Sequence, residues 1–595
     1  MLDGLVIFGG QYFPPYGKDQ MLRTSTVCLL ISLLLPQASI SAPTLATPGF
    51  DRATRIQQVR SEVGALVEKD AQPDALRKAI GLLEAELAWL GQPESRELAV
   101  GNAFLNGRGH DVRYDLAQLY ARLGEKEKAL DTLEAMQRFV WMPNAAFQLE
   151  SNEAFASLRG EPRFAAILAR GRIAERIRKG PAAEVPYKER LSVEERIAGL
   201  TQFWSEARAS FVYFDHVPEL DWNQVYLDYL PKVMAAETTQ DYYSVLMRLA
   251  PLLRDGHTNI YPPQDLVDRF YAHPPIVTEL VEDRVLVRRV DSASLASRVR
   301  VGDEIVAVDG MPVRLYAEER VAPFVSSSTP QDRNVRMYRY QLLGGDAREP
   351  VTLTLRDARS GTREVTLARD GYDDLRGRSA FEFRMLPGDV AYFALDHFED
   401  DAGVKAFAAS LPRILDAKAL VIDVRNNGGG STNFGWEILS FLSTTPISHT
   451  PQYVRTNEPH ARAQGDAVSW LPAHRFGSAG FTRAHPRIFT GKVAVLTGAR
   501  TFSAAEDFVL AFNAIGRGVT VGASTSGSTG QPLFMQLPGG GSARICVKRD
   551  LTPDGQDFVG KGISPQVSVS ETVESVRAGH DPVLERALAL LKKDD

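Results

Sequence analysis

Three short stretches of this sequence hold residue types that can do covalent chemistry. The first is GARTFSAAED, residues 498–507, where Ser503 stands between the apolar run VAVL and a segment with Ala505, Phe508, Val509 and Phe512 at helical spacing. A serine at a strand-to-helix turn has an exposed hydroxyl and backbone amides around it, which suits a nucleophile. The same residues also fit a capping box, because Ser503 and Glu506 have the S-x-x-E spacing. Thr501 competes for the N-cap and would leave the Ser503 hydroxyl free in the first helical turn. The second stretch is ALVIDVRNNGGGST, residues 419–432, in which an apolar strand runs straight into Gly428, Gly429 and Gly430. Glycines there let the backbone turn its amides toward a ligand, as an oxyanion hole or a phosphate loop does. No GxxxxGK[ST] pattern is present, so nucleotide binding comes second. The third is LLRDGHTNI, where His257 follows an Asp-Gly turn and precedes a strand-like run. A serine hydroxyl needs a base, and among the ten histidines His257 is the best placed, ahead of His397 in ALDHF and His216 in YFDHV.

These residues need elements to hold them. After Gly388, strand-like runs alternate with helical ones: VAYFALDHF, a helix near residues 404–411, ALVIDV, a helix near 434–442, VAVL, the helix after Ser503, and VTVGA. That alternation predicts a βα domain with a largely parallel sheet. Residues 275–370 read as short β runs, with VGDEIVAVDGMPV resembling the core of a PDZ domain, a module that captures an extended peptide at a sheet edge. Residues 190–272 are a helical segment leading to His257, and residues 50–178 are helical throughout. Within the latter, residues 114–137 break at Gly124 between two amphipathic runs, with small Ala117 and Ala129 at the crossing, which resembles one tetratricopeptide unit. Such helices could hold a protein partner or pack onto a neighbouring domain. The fold class expected is therefore multidomain α/β: an all-α N-terminal region, a PDZ-like β domain and a C-terminal βα core over 380–592.

Hydrophobic residues make up 44% of the 595 and charged residues 24%, enough apolar material for several cores. A formal net charge of −6 gives no reason to invoke nucleic acid. Residues 1–42 read as an upstream extension followed, from Met21, by a secretion signal with Arg23, the apolar core VCLLISLLL and small residues near Ala42. The expected location is periplasmic or secreted, with no integral membrane span once the signal is removed. Cys28 falls inside the signal, which leaves Cys546 alone and most simply a buried strand residue. Asp255 and His257 are too thin a cluster for zinc, so neither metal nor organic cofactor is implied.

The order L-x-D-G-H-T, PDZ-like segment, D-V-R-N-N-G-G-G, T-F-S-A-A-E and G-K-G-I-S-P is similar to the C-terminal-processing and tricorn-type serine peptidases over roughly residues 190–580. The resemblance implies a ClpP/crotonase-like catalytic core, Ser503 as nucleophile, and the backbone amides of Gly429 and Ala504 as oxyanion donors. The bacterial and plastid branch uses a lysine base, and Ser528 of TSGSTG stands where that lysine would be. The tricorn-like branch has a histidine at the D-G-H-T position, which implies a Ser503/His257 pair. For the orienting acid, Asp557 and Asp554 are the nearby candidates, since Val559 precedes the G-K-G-I segment. The expected partner is a peptide or protein substrate. The alternative from another class is a non-catalytic carrier or peptide-binding scaffold on the same fold.

Overall fold

The computed structural model describes residues 6–8, 11–13, 48–67, 71–99, 103–138, 145–178, 184–371, 380–447, 450–456, 459–465, 470–473, 481 and 483–592. The expected signal, residues 21–42, lies outside them. Two compact units account for most of the chain, one spanning 24–181 and the other built from 182–473 and 478–595.

The N-terminal unit is helical, with α1 (Pro48–Leu66), α2 (Pro73–Leu90), α3 (Ala103–Arg122), α4 (Lys126–Gln137) and α5 (Pro162–Gly171) as its longer elements. Gly124 adopts φ 77° between α3 and α4, a turn a side chain would resist. Ala117 and Ala129 are fully buried where the two helices approach, in one core with Leu116, Leu130, Leu133 and Phe155.

The second unit starts with α6 (Val193–Ser210), α7 (Trp222–Ala235) and α8 (Thr239–Leu246). A capping box starts α6, with Ser192 Oγ accepting from Glu195 N at 3.3 Å and Ser192 N donating to the Glu195 carboxylate at 2.8 Å. A 3-10 turn, Ala250–Leu253, then delivers the chain through Arg254 (φ 48°) to the His257 loop and strand β1 (Asn259–Tyr261).

An antiparallel sheet follows, in the order β2 (Ile276–Val281), β3 (Arg284–Val290), β4 (Glu304–Val308), β5 (Val351–Arg356) and β6 (Thr362–Leu367). The alternation in VTLTLR is a half-buried strand in sequence and in space: Val351, Leu353 and Leu355 are fully buried while the threonines between them are not. They pack with Val285, Val287, Ile305, Met337 and Tyr338.

The C-terminal core is a sheet of β7 (Phe381–Leu386), β8 (Val390–Leu395), β9 (Ala419–Asp423), β12 (Lys492–Thr497), β13 (Val519–Gly522) and β17 (Val567–Ser568), in that order. Only β7 runs antiparallel, at the edge. Every residue of β9 is buried, as a strand covered on both faces requires. Leu420 and Ile422 join one core with α9 (Ala402–Leu415), α10 (Thr432–Ser440) and α11 (Ala504–Ala514), while Ala419 and Val421 face Val583 and Ala587 of α12 (Pro582–Lys592). Arg425, just past β9, bridges Asp423 and Asp581 at 2.7 Å each, so that pair braces the strand end. A small separate sheet forms where β10 (Gln452–Arg455) pairs with β11 (Trp470–Pro472) and β16 (Arg549–Asp550). Finally β1 adds to the hairpin of β14 (Pro532–Leu537) and β15 (Gly541–Cys546), with Ile260 opposite Ala543. That pairing carries His257 from the helical segment into the core.

Candidate active site

The carboxyl ends of the parallel strands β9 and β12 lead into the glycine loop and the Ser503 turn, the position where open α/β sheets place their ligands. Ser503 is the N-cap of α11, at φ 58° and ψ −127°. A left-handed backbone is uncommon for a residue with a side chain and persists only where its surroundings enforce it. Here Ser503 N donates to Ser528 O at 3.0 Å and lies 3.3 Å from Glu506 Oε2. The expectation of a Thr501 cap is corrected: Thr501 Oγ1 donates to Val424 O (2.9 Å) and accepts from Gly498 N (3.1 Å), which ties it to the end of β9.

Ser503 Oγ is 3.0 Å from His257 Nε2. The other ring nitrogen, Nδ1, is 3.0 Å from Ser528 Oγ, and the ring stacks on Phe502 with centroids 4.6 Å apart. The imidazole is 1% exposed. Its burial, reinforced by the nearby Arg544, Arg336 and Lys548 cations, holds its pKa well below the ordinary 6.5, so it is neutral at physiological pH.

Beneath the pair lies Glu506, fully buried. Its carboxylate accepts from Thr525 Oγ1 (2.5 Å), Gly527 N (2.8 Å) and Ser528 N (2.8 Å), and so fixes the loop that carries Ser528. Burial pushes this carboxyl up to about 8, against the pull of those donors. Sequence reasoning took Glu506 as a capping partner and Ser528 as a missing lysine. The hydroxyl-rich TSGSTG run was the available signal for a side chain that meets His257.

The glycine loop packs directly on the Ser503 turn. Gly429 has φ 96°, and a Cβ there would sit 2.7 Å from Ser503 Cβ, 2.9 Å from Phe502 O and 3.1 Å from Ala504 N. Phe398 N donates to Gly429 O at 2.7 Å and so holds the loop down. Gly429 N donates to Asn427 Oδ1 at 2.9 Å. Ala504 N belongs to the first turn of α11, where no intrahelical acceptor exists.

The other expected candidates lie elsewhere. Asp557 is not the orienting acid: its Oδ1 accepts from Arg549 Nε (3.1 Å) and Nη2 (3.0 Å) and it is part-exposed, while Ser528 occupies His257 Nδ1. Asp554 caps its own turn through Thr552 Oγ1 (2.5 Å). A P-D-G turn signal puts both at the surface, and surface is where they stay. His216 stacks on Tyr213, and His397 Nδ1 accepts from Glu399 N. Cys546 is a buried free thiol whose pKa burial raises, the opposite of an activated nucleophile.

Residues 389–569, which span β9, the glycine loop, the Ser503 turn and Ser528, match the sequence profile of Peptidase family S41. That stretch is thus similar to the family S41 peptidases. Carboxyl-terminal-processing peptidase 1, chloroplastic, of Arabidopsis thaliana is 25% identical over 293 residues, covering 48% of this chain and 52% of that one. The chain thus spans about half the length of the curated relative it matches. Among solved structures, mature CPAF complexed with lactacystin superposes with a TM-score of 0.54 at 16% identity, covering 67% of this chain and 98% of that chain. Mature CPAF in a second structure gives 0.53 at 16% identity, over 67% and 97%. At that identity the likeness concerns the fold alone.

Proposed function

We propose that this protein is an exported serine endopeptidase in which Ser503 is the nucleophile and His257 the general base. The observation that carries the proposal is the 3.0 Å contact between Ser503 Oγ and a neutral, buried His257 Nε2, made at a turn on which Gly429 is packed. With the imidazole proton on Nδ1 and donated to Ser528 Oγ, Nε2 offers its lone pair to the Ser503 hydroxyl. As Oγ attacks the scissile carbonyl its proton passes to Nε2, and the carbonyl oxygen becomes an oxyanion facing the Ala504 and Gly429 amides. Each well-placed donor lowers such a barrier by about 3 kcal/mol. Collapse breaks the C–N bond, and the imidazolium returns the proton to the leaving amine. Water, deprotonated in turn by Nε2, then releases the acyl group and restores Ser503. No carboxylate among the described residues completes the pair, so Ser528 is a positioning residue and Glu506 holds it in place.

In the same reading, the sheet of β2 to β6 is a PDZ-like peptide-capture domain and the α3–α4 hairpin a tetratricopeptide-like unit open to a protein partner. Export rests on the signal-like segment at 21–42, and no described helix is long and apolar enough to cross a membrane.

Labelling of the purified protein by a fluorophosphonate tests the proposal, since phosphonylation requires only an activated serine. Wild type should label, and Ser503→Ala and His257→Ala should not, with unchanged circular dichroism. A folded wild type that resists labelling and still binds peptides would turn the assignment to a non-catalytic scaffold.

A further inference from the structure

A cavity of about 620 Å³ lies between the end of the helical segment and residues 322–334 of the sheet domain. Three arginines line it, Arg248, Arg254 and Arg333, together with the hydroxyl residues Ser327, Ser328 and Thr329. No acidic side chain lines it among the described residues. Two of the cations have a carboxylate at the surface, Arg254 with Glu219 (2.9 Å) and Arg333 with Glu318 (2.7 Å). Arg248 has none among the described residues. Its guanidinium lies 4.7 Å from the Phe324 ring centroid, against an aromatic face.

The wall of this cavity is bonded to both loops of the candidate active site. Ser328 Oγ accepts from Gly256 N at 2.9 Å and donates to Asp255 Oδ1 at 3.4 Å, immediately before His257. Thr329 Oγ1 donates to Ser526 O at 2.7 Å, two residues before Ser528. Behind the wall, Asp255 accepts from Thr258 (2.7 Å) and Asp332 pairs with Arg336 (2.7 Å).

We propose that this cavity is an exosite for a carboxylate-bearing peptide segment, with Arg248 as the principal contact. A planar carboxylate suits a guanidinium bidentately, the hydroxyls offer further donors, and the walls supplied by Pro251, Leu252 and Val325 accept apolar stem atoms. A peptide held there lies against the segment that carries His257. The inference takes from the proposed peptidase activity only that the ligand is a peptide.

Binding to the Ser503→Ala protein separates it from catalysis. A labelled acidic peptide is titrated by fluorescence anisotropy alongside the same peptide amidated at its C-terminus and a version with Asp and Glu replaced by Asn and Gln. Binding should weaken about tenfold in Arg248→Glu and markedly when salt is raised from 0.05 to 0.5 M. Arg248→Gln, which removes the charge without reversing it, should fall between. Loss on amidation would assign the terminal carboxylate as ligand, and loss on Asn/Gln replacement the side chains; either supports the exosite. Equal binding of the uncharged peptide, or a Kd within twofold in both Arg248 variants, overturns it. Because wild-type fluorophosphonate labelling is read independently, a failed exosite and a failed nucleophile give different results.

Discussion

Replacing Ser528 with alanine isolates what a hydroxyl does for an imidazole that has no carboxylate partner. In the resting state the Nδ1 to Ser528 contact, 3.0 Å long, joins two neutral groups and is worth about 0.5–1.5 kcal/mol. When His257 takes the Ser503 proton the same contact becomes charge-assisted and is worth about 1.5–3 kcal/mol. Only the difference, about 1–1.5 kcal/mol, falls on the barrier, which is a factor of roughly ten in rate. The side chain is fully buried, so the alanine leaves a small void and no exposed group. The assay is the second-order rate of fluorophosphonate labelling, followed by kcat and KM once a peptide substrate is in hand. The expected result is about tenfold slower labelling with KM unchanged and Tm within a few degrees. A variant as fast as wild type would mean that Ser528 does not orient the ring. A loss near the 10⁴-fold caused by removing a triad aspartate would mean that the hydroxyl relays to a charge rather than merely orienting the ring.

Two further outcomes follow from the same geometry. Because burial and three nearby cations depress the His257 pKa, the base form persists as pH falls through 6.5; kcat/KM should stay level there and decline only well below it, and an acid limb centred near 7 would contradict the environment described. In Gly429→Ala the new Cβ would sit 2.7 Å from Ser503 Cβ at a φ of 96°, costing about 1–3 kcal/mol in backbone strain alone; labelling should be abolished while Tm drops by several degrees, and a variant that labels normally would show that the loop yields freely.

Legibility in the sequence followed the range of the interactions. The β9 run ALVID and the β12 run VAVL are continuous apolar stretches because both faces of a parallel sheet are covered, and such runs are visible locally. Ser503 at a strand–helix junction and Gly429 at a strand end were likewise local features. The role of Thr501 was not, because its hydroxyl is taken by Val424 O, 77 residues away in sequence. Ser528 escaped for the same reason: its meeting with His257 spans 271 residues and is made by the addition of β1 to β15, which no periodicity reports. Asp557 lies close in sequence to the G-K-G-I segment, yet Arg549 claims it. Hydroxyl and carboxylate look equally plausible on paper; only the packed interior decides which of them faces the ring.

The addition of β1 to β15 also orders events on the ribosome. His257 is made early, but Ser503 follows 246 residues later, Ser528 271 residues later, and the hairpin that docks β1 later still. A nascent chain therefore carries base and nucleophile in separate, unjoined pieces, and the hydroxyl cannot be activated until nearly the whole polypeptide has emerged. Such non-local closure makes folding slow. In the proposed peptidase, that delay keeps the unfinished product harmless to its neighbours and to itself.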